Sequence, residues 1–83
     1  GRKPRRASIN GSNLRPLIAE LLSDELITGF NQDIDGRFHL DTFDLPTLLN
    51  KLSEHGRKGN IDTLETDDQE LELVYDLILS DNA

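Results

Sequence analysis

The stretch from Asn31 to Thr42, NQDIDGRFHLDT, decides how the middle of this chain is interpreted. Its acidic residues fall at alternating positions and are followed at once by Gly36. One interpretation is a β-hairpin, because Asp-Gly is a strong two-residue turn signal and Phe38 and Leu40 alternate like residues of a half-buried strand. The other is a loop whose oxygen atoms converge on a calcium ion. The residues alone leave both interpretations open.

The calcium interpretation depends on spacing. A calcium-binding loop brings in oxygen ligands at alternating positions and then turns sharply at a glycine. Asn31, Asp33 and Asp35 fall at positions 1, 3 and 5 of such a loop. Arg37 would offer its backbone carbonyl at position 7. The segment thus resembles the EF-hand family, which implies a helix on each side and Ca²⁺ as the only candidate cofactor. It departs from that family at position 12, where Thr42 replaces a bidentate glutamate.

Leucine periodicity predicts a helix on each side of this stretch. The first helix is expected to begin at Asn13 and to carry an apolar stripe that continues to Phe30. The second is expected to begin at Asp44, whose carboxylate can accept free amides while Pro46 sits in the first turn. Gly56 is expected to end it.

A third helix is expected to open at Thr66, which has capping-box spacing with Gln69. This helix would be apolar on more than half of its girth, so it needs neighbours on two sides. In a three-helix domain this indicates either a central position or a dimer seam, and we predict a protein interface on this helix. The predicted interface residues are Leu71, Leu73, Val74, Tyr75, Leu77, Ile78 and Leu79.

The predicted fold class is mainly α, namely a small three-helix domain with a short turn or β-hairpin near Asp35-Gly36. Residues 1–12 are predicted to be a disordered, basic N-terminal arm, and residues 13–83 a single small acidic helical domain. Charge supports this division, because residues 1–16 carry a net charge of +5 and residues 17–83 a net charge of −12. An acidic body repels phosphates, so any contact with DNA must come from the arm.

The arm contains a short basic motif, GRKPRR, at residues 1–6. This motif resembles the AT-hook, which implies contacts in the narrow minor groove of A·T-rich DNA. An arginine before the glycine is absent, and Lys3 separates Arg2 from the proline. The residues implied to contact nucleic acid are Arg2, Lys3, Arg5 and Arg6.

A second motif in the arm is RRASI, in which two arginines precede Ser8 and an apolar residue follows it. It resembles the substrate consensus of basophilic serine kinases. This resemblance implies phosphorylation of Ser8, which would add a charge of about −2 beside the arm's cations.

The expected function is non-enzymatic: a regulatory module that binds another protein or a second copy of itself. Cysteine is absent, and His39 and His55 lie apart with no nucleophile motif around them. Two alternatives stand, a DNA-associated regulator that uses the arm and a weak calcium-binding module. No apolar run approaches the roughly 20 residues that span a bilayer, so no membrane partner is expected and an intracellular location, cytoplasmic or nuclear, is predicted. The absence of methionine and the start at Gly1 indicate a fragment or a processed product.

Overall fold

The computed structural model describes residues 3–67, which form a four-stranded antiparallel sheet and two helices. The elements in chain order are β1 (Arg5–Gly11), α1 (Arg15–Ser23), β2 (Gly29–Gln32), β3 (Phe38–Thr42), α2 (Leu45–Arg57) and β4 (Ile61–Thr66). The strand order across the sheet is β2-β3-β1-β4. Since β3 is antiparallel to both β1 and β2, those two strands are parallel, with β3 between them. This is a split β-α-β arrangement. It hosts many unrelated functions, so function must be argued from particular side chains.

The predicted mainly α, three-helix fold class is wrong, because helix and strand contribute about equally to the described residues. The largest correction is at the N-terminus. Residues 5–11, predicted to be disordered, form β1 and pair with β3 on one side and β4 on the other. Only Ala7 and Ile9 of this strand are buried, and both are fully inaccessible to solvent. Two apolar residues among basic and small polar residues do not predict a strand from composition.

The first helix begins close to the predicted position, with Pro16 in its first turn, but it ends at Ser23 instead of continuing to Phe30. Glu25 has a left-handed backbone with φ 60°. Its amide donates to the carbonyl of Leu22, and the amide of Leu26 donates to that of Leu21. This is the hydrogen-bond pattern of a Schellman motif, in which glycine is the usual residue at the left-handed position. Because glutamate is not a typical residue at this position, the sequence does not predict the helix end.

Replacing Glu25 with glycine should therefore stabilise the protein by about 1 kcal/mol, because the left-handed conformation is strained for a residue that has a Cβ. Urea unfolding followed by circular dichroism measures the change. Glu54→Gly in the middle of α2 is the matched control, and it should destabilise by about 1 kcal/mol. A loss of stability in both variants would contradict this account of the helix end.

The hairpin expected near Asp35-Gly36 is present as β2 and β3, with a three-residue loop where a two-residue turn was expected. The amide of Asp33 donates to the carbonyl of Arg37, and the amide of Gly36 donates to the carbonyl of Asp33. Gly36 has φ 89°, a conformation that glycine adopts without strain. A loop of this length with glycine at its last position is a common hairpin connection.

The second helix begins as predicted, with Asp44 as N-cap and Pro46 in the first turn. It ends at Arg57, so Gly56 lies inside the helix and is buried. Thr66, the predicted start of a third helix, is the last residue of β4. The rest of that predicted helix, with its predicted interface from Leu71 to Leu79, lies outside the described residues.

Both helices pack on one face of the sheet. Burial alternates along β1 and β3, so every second side chain points toward the helices. The buried core contains Ala7, Ile9, Leu14, Leu17, Ile18, Leu21, Ile27, Phe38, Leu40, Leu45, Leu48, Leu49, Leu52, Ile61 and Leu64. The opposite face of the sheet carries polar and charged side chains.

Thr42 is a buried polar residue at the end of β3, with only 1% of its surface exposed. Its hydroxyl donates to the carbonyl of Leu26 at 2.7 Å and accepts from the amide of Asp44 at 3.0 Å. It therefore joins the α1–β2 connection to the start of α2.

Thr42→Val should destabilise the fold by about 1–3 kcal/mol, because it leaves a buried carbonyl and an amide without their partner at nearly constant volume. The free energy of unfolding in urea measures this. Thr63→Val, on the exposed surface of β4, should change it by less than about 0.5 kcal/mol. Equal effects of the two substitutions would show that the hydroxyl of Thr42 contributes nothing specific.

Candidate functional site

Neither helix of residues 3–67 covers the other face of the sheet, which we call the open face, and a row of polar side chains crosses all four strands there. The strand registers place Asn31 beside His39, His39 beside Ser8, and Ser8 beside Glu65. These residues alternate with the core residues of their strands, so they point away from both helices. The row brings together residues that are far apart in the sequence.

Three residues of this face form a continuous hydrogen-bonded chain, which we call the Ser8–His39–Asp33 network. Ser8 Oγ lies 2.7 Å from His39 Nδ1, and His39 Nε2 lies 2.9 Å from Asp33 Oδ2. The other carboxylate oxygen of Asp33 accepts from the backbone amides of Asp35 and Arg37, at 2.9 and 3.0 Å. Asp33 is thereby held in one orientation by the hairpin loop.

Electrostatics assign the protons in this network. The hydrogen bond from His39 lowers the pKa of the Asp33 carboxyl, and the two backbone amides lower it further. An ionised carboxylate only accepts hydrogen bonds, so His39 Nε2 must carry a proton. When the imidazole is neutral, Nδ1 is then the acceptor of the hydrogen bond that the Ser8 hydroxyl donates. A serine, a histidine and an aspartate are therefore connected in the order used by activated nucleophiles.

Sequence reasoning found these residues but missed the network. It predicted Ser8 as a phosphorylation site and Asp33 as a calcium ligand, and it gave His39 no role. Ser8 and His39 are 31 residues apart, so only the pairing of β1 with β3 brings them together. This contact could be predicted only if β1 was recognised as a strand. Ser8 lies half-buried in a strand paired on both sides, not in an exposed flexible arm.

The predicted metal residues are not arranged as an EF-hand, because strands flank the loop where the EF-hand has helices. Asn31 and Asp35 are exposed, and Asp33 is engaged by the network. Arg37 Nη1 forms an ion pair with Glu65 at 3.1 Å. Among residues 3–67, no three histidine or carboxylate side chains are grouped so that they could hold a metal ion.

The predicted nucleic-acid residues do not form an arm either. Arg5 and Arg6 lie in β1, where Arg5 pairs with Asp67 at 2.9 Å and Arg6 with Asp41 at 3.2 Å. Lys3 is exposed, and Arg2 lies outside the described residues. The two strand arginines thus have a carboxylate beside them, which weakens their attraction for phosphate.

A second candidate site is an apolar groove between α1 and the edge strand β2. Its lining residues are Arg15, Ile18, Ala19, Leu22, Phe30 and Phe38. Leu22 and Phe30 are 39% and 44% exposed, which is unusual for such large apolar side chains. The rings of Phe30 and Phe38 lie 6.1 Å apart between centroids, so Phe30 is fixed against the core at one side and open to solvent at the other. Ile34, at the hairpin tip, is fully exposed.

An ion cluster joins the two helices on the surface. Lys51 Nζ lies 3.1 Å from Glu20 Oε1, and His55 Nε2 lies 3.6 Å from Glu20 Oε2. The hydrogen bond and the charge of Lys51 lower the pKa of Glu20, and Glu20 in turn raises the pKa of Lys51. His55 lies in the last turn of α2. The cluster connects the helices and borders neither candidate site.

Comparison with protein-family models, with curated proteins and with solved structures gives no match. Within residues 3–67, neither helix is long and apolar enough to cross a membrane.

Acid should weaken the contribution of Asp33 to stability. Its pKa is lower in the folded protein than in the unfolded chain, so its contribution is complete above the ordinary carboxyl range. That contribution is lost as the pH falls through the folded pKa. Asp33→Asn should therefore destabilise the protein at neutral pH, and the gap between the two proteins should close at acidic pH.

Urea unfolding of both proteins between neutral pH and about pH 3 measures this gap. Asp35→Asn, at the exposed tip of the same loop, is the control and should have a smaller effect at neutral pH. A gap between wild type and Asp33→Asn that stays constant over this range would contradict the assignment.

Proposed function

We propose that this protein is an interaction module that forms a homodimer by pairing the edge strand β2 with its copy. The observation that carries this proposal is the contrast between the two edges of the sheet. Strand β2, Gly29–Gln32, has no charged residue, contains the exposed Phe30 and lies beside the exposed Leu22. Natural proteins protect exposed edges with charges, prolines or bulges. Strand β2 is only four residues long, but it carries no charged residue and no proline.

The opposite edge is protected in the expected way. Strand β4 carries Asp62 and Glu65, and its pairing with β1 is interrupted by a register shift at Asn10 and Gly11. A second copy that approached this edge would meet carboxylates and a bent ladder. The selective lack of protection on β2 therefore supports a functional edge.

Among residues 3–67, nothing pairs with the outer side of β2, so its backbone offers groups to a partner. The amide of Asp33 donates to the carbonyl of Arg37, and this hydrogen bond fixes which residues of β2 direct their backbone groups toward β3. In an antiparallel pair the alternation of the ladder directs the N–H and C=O groups of Asn31 toward β3 and those of Phe30 and Gln32 outward. Two outward residues on each copy would supply the ladder of a short intermolecular strand pair.

A second copy suits this edge because of charge. The chain has a net charge of −7, so most surfaces of two copies repel each other. Antiparallel pairing of β2 with itself, centred on Asn31, sets Phe30 of each copy opposite Gln32 of the other, without any charge in the strand. Such an interface is isologous and closes after two copies.

The apolar groove supplies the remaining contact. In the antiparallel pair, the hairpin tip of one copy lies toward the amino end of the other copy's β2. This brings exposed Ile34 of one copy toward Leu22 and Phe30 of the other. Burial of an aliphatic side chain contributes about 1.5–3 kcal/mol, and the dimer would make this contact twice.

The alternatives from the sequence have less support. The arginines expected to contact DNA lie in β1 beside carboxylates, and Asp33 is engaged by His39 in place of a calcium ion.

Sedimentation equilibrium over a range of concentrations tests the proposal. The wild type should approach twice its chain mass of 9.3 kDa, with a dissociation constant in the micromolar range. Phe30→Lys puts a charge on the edge, and Gln32→Pro removes an outward donor at a position that tolerates proline. Both variants should remain monomeric with an unchanged circular dichroism spectrum.

Thr63→Lys, which adds the same charge to exposed β4, should dimerise like the wild type. A chain that stays at 9.3 kDa at all concentrations would refute the dimer. Dissociation by Leu73→Asp with no effect of Phe30→Lys would place the interface on the C-terminal residues predicted from sequence.

A further inference from the structure

We propose that Ser8 is an acylation site, at which its hydroxyl accepts the acyl group of small activated carboxylic esters. The inference rests on the Ser8–His39–Asp33 network and is independent of the β2 edge. A nucleophile, a base within hydrogen-bond reach and a third group that orients the base are the features that activate a serine. All three are present within 3 Å contacts.

The orientation of His39 is what separates this network from an ordinary surface hydrogen bond. Asp33 accepts two backbone amides at one oxygen, so its other oxygen is aimed at His39 Nε2. The imidazole is thereby kept in the tautomer whose free lone pair is on Nδ1, facing Ser8. Compared with the usual serine-histidine-aspartate arrangement, the two ring nitrogens have exchanged roles, but the direction of proton transfer is the same.

The step balances with these groups alone. Ser8 Oγ attacks the carbonyl carbon of the ester while its proton moves to His39 Nδ1, and a tetrahedral oxyanion forms. The intermediate collapses when the bond to the leaving alkoxide or phenolate breaks. The leaving group either takes the proton from His39 Nδ1 or departs as the anion. In the second case, His39 loses its proton to water. The product is an ester of Ser8, and no oxidant or metal is required.

The surroundings of Ser8 suit a small acyl donor. Ser8 is half-buried at a shallow cavity of about 220 Å³, lined also by Arg6, Glu65, Thr66 and Asp67. This volume is below the roughly 300–1,000 Å³ of sites that enclose larger ligands. Arg6 is two residues before Ser8 on the same face of β1, with its side chain 55% exposed, and Asp41 lies beside it. Its positive charge favours the oxyanion that forms at the cavity.

The test uses the full chain and p-nitrophenyl acetate as the acyl donor. Release of p-nitrophenolate gives the rate, and peptide mass spectrometry locates the acetyl group. Ser8 should be acetylated about a hundredfold faster than Ser12, an exposed serine of the same chain. Ser8→Ala should abolish the fast phase, and His39→Gln should slow it by about a hundredfold.

Asp33→Asn provides a readout that a purely structural role would not change. The amide oxygen can keep the two backbone bonds, which turns the NH₂ group toward His39 Nε2 and makes that nitrogen the acceptor. His39 must then carry its proton on Nδ1 and can no longer accept from Ser8. Nitrogen chemical shifts of His39 should show the Nε2–H tautomer in the wild type and the Nδ1–H tautomer in the variant, with loss of the fast phase.

Circular dichroism of each variant controls for folding, and Glu25→Gly should acetylate at the wild-type rate because it changes only the end of α1. Acetylation spread over lysines and exposed serines without enrichment at Ser8 would overturn the proposal. Equal labelling of Ser8 in wild type and His39→Gln would overturn it as well. If Asp33→Asn fails to fold, the His39→Gln rate and the wild-type tautomer still decide.

Discussion

The pairing of β1 on both of its sides is the constraint on which the rest of this structure depends. The strand lies between β3 and β4, so its backbone hydrogen bonds connect the hairpin to β4. Ala7 and Ile9 insert between the helices and the sheet with no exposed surface. At its end, the backbone of Asn60 approaches Gly11 so closely that a Cβ would overlap the carbonyl of Asn60. A small residue at that point lets the two strands shift register and still pair.

The same pairing creates the chemistry of the open face. A strand exposes alternate side chains on opposite faces, so burial of Ala7 and Ile9 forces Ser8 to the other side. The register with β3 then decides that Ser8 meets His39. A slip of one residue would bury Ser8 and expose the two apolar residues, which the core does not permit. The network is thus a consequence of how the core is packed, although none of its members belongs to the core.

Local signals were sufficient for parts of this fold and insufficient for others. The second helix was predictable because Asp44 caps it and four leucines repeat at helical spacing. The hairpin was predictable from Asp35-Gly36, whose turn preference is intrinsic. Strand β1 was not, because its strand character comes from partners about 30 and 60 residues away. Strand β2 was hidden by Leu26, Ile27 and Phe30, which continue the helical stripe of α1 past a helix end marked by glutamate.

The site was less predictable than the fold for a related reason. Asp33 and His39 are close in the sequence, so the register of the hairpin could have predicted their contact. Ser8 joins them only through a long-range strand pairing, for which its neighbours give no sign. The calcium resemblance included Asp33 and the kinase resemblance included Ser8, both members of the network. Short polar motifs of this kind are compatible with several structures. Tertiary pairing selects among these possibilities.

The two proposed surfaces are also related by the geometry of the sheet. Antiparallel pairing of β2 with its copy has a twofold axis perpendicular to the sheet, so it keeps the same face of both copies on one side. The dimer would have a continuous eight-stranded sheet, with the helices of both copies on one face. Its open face would carry both networks, with each Ser8 separated from the seam by β3 and β2. Ser8 lies on the third strand from that seam, so pairing at β2 leaves the cavity beside it open. Association and nucleophile chemistry are therefore compatible in one assembly and separable by substitution.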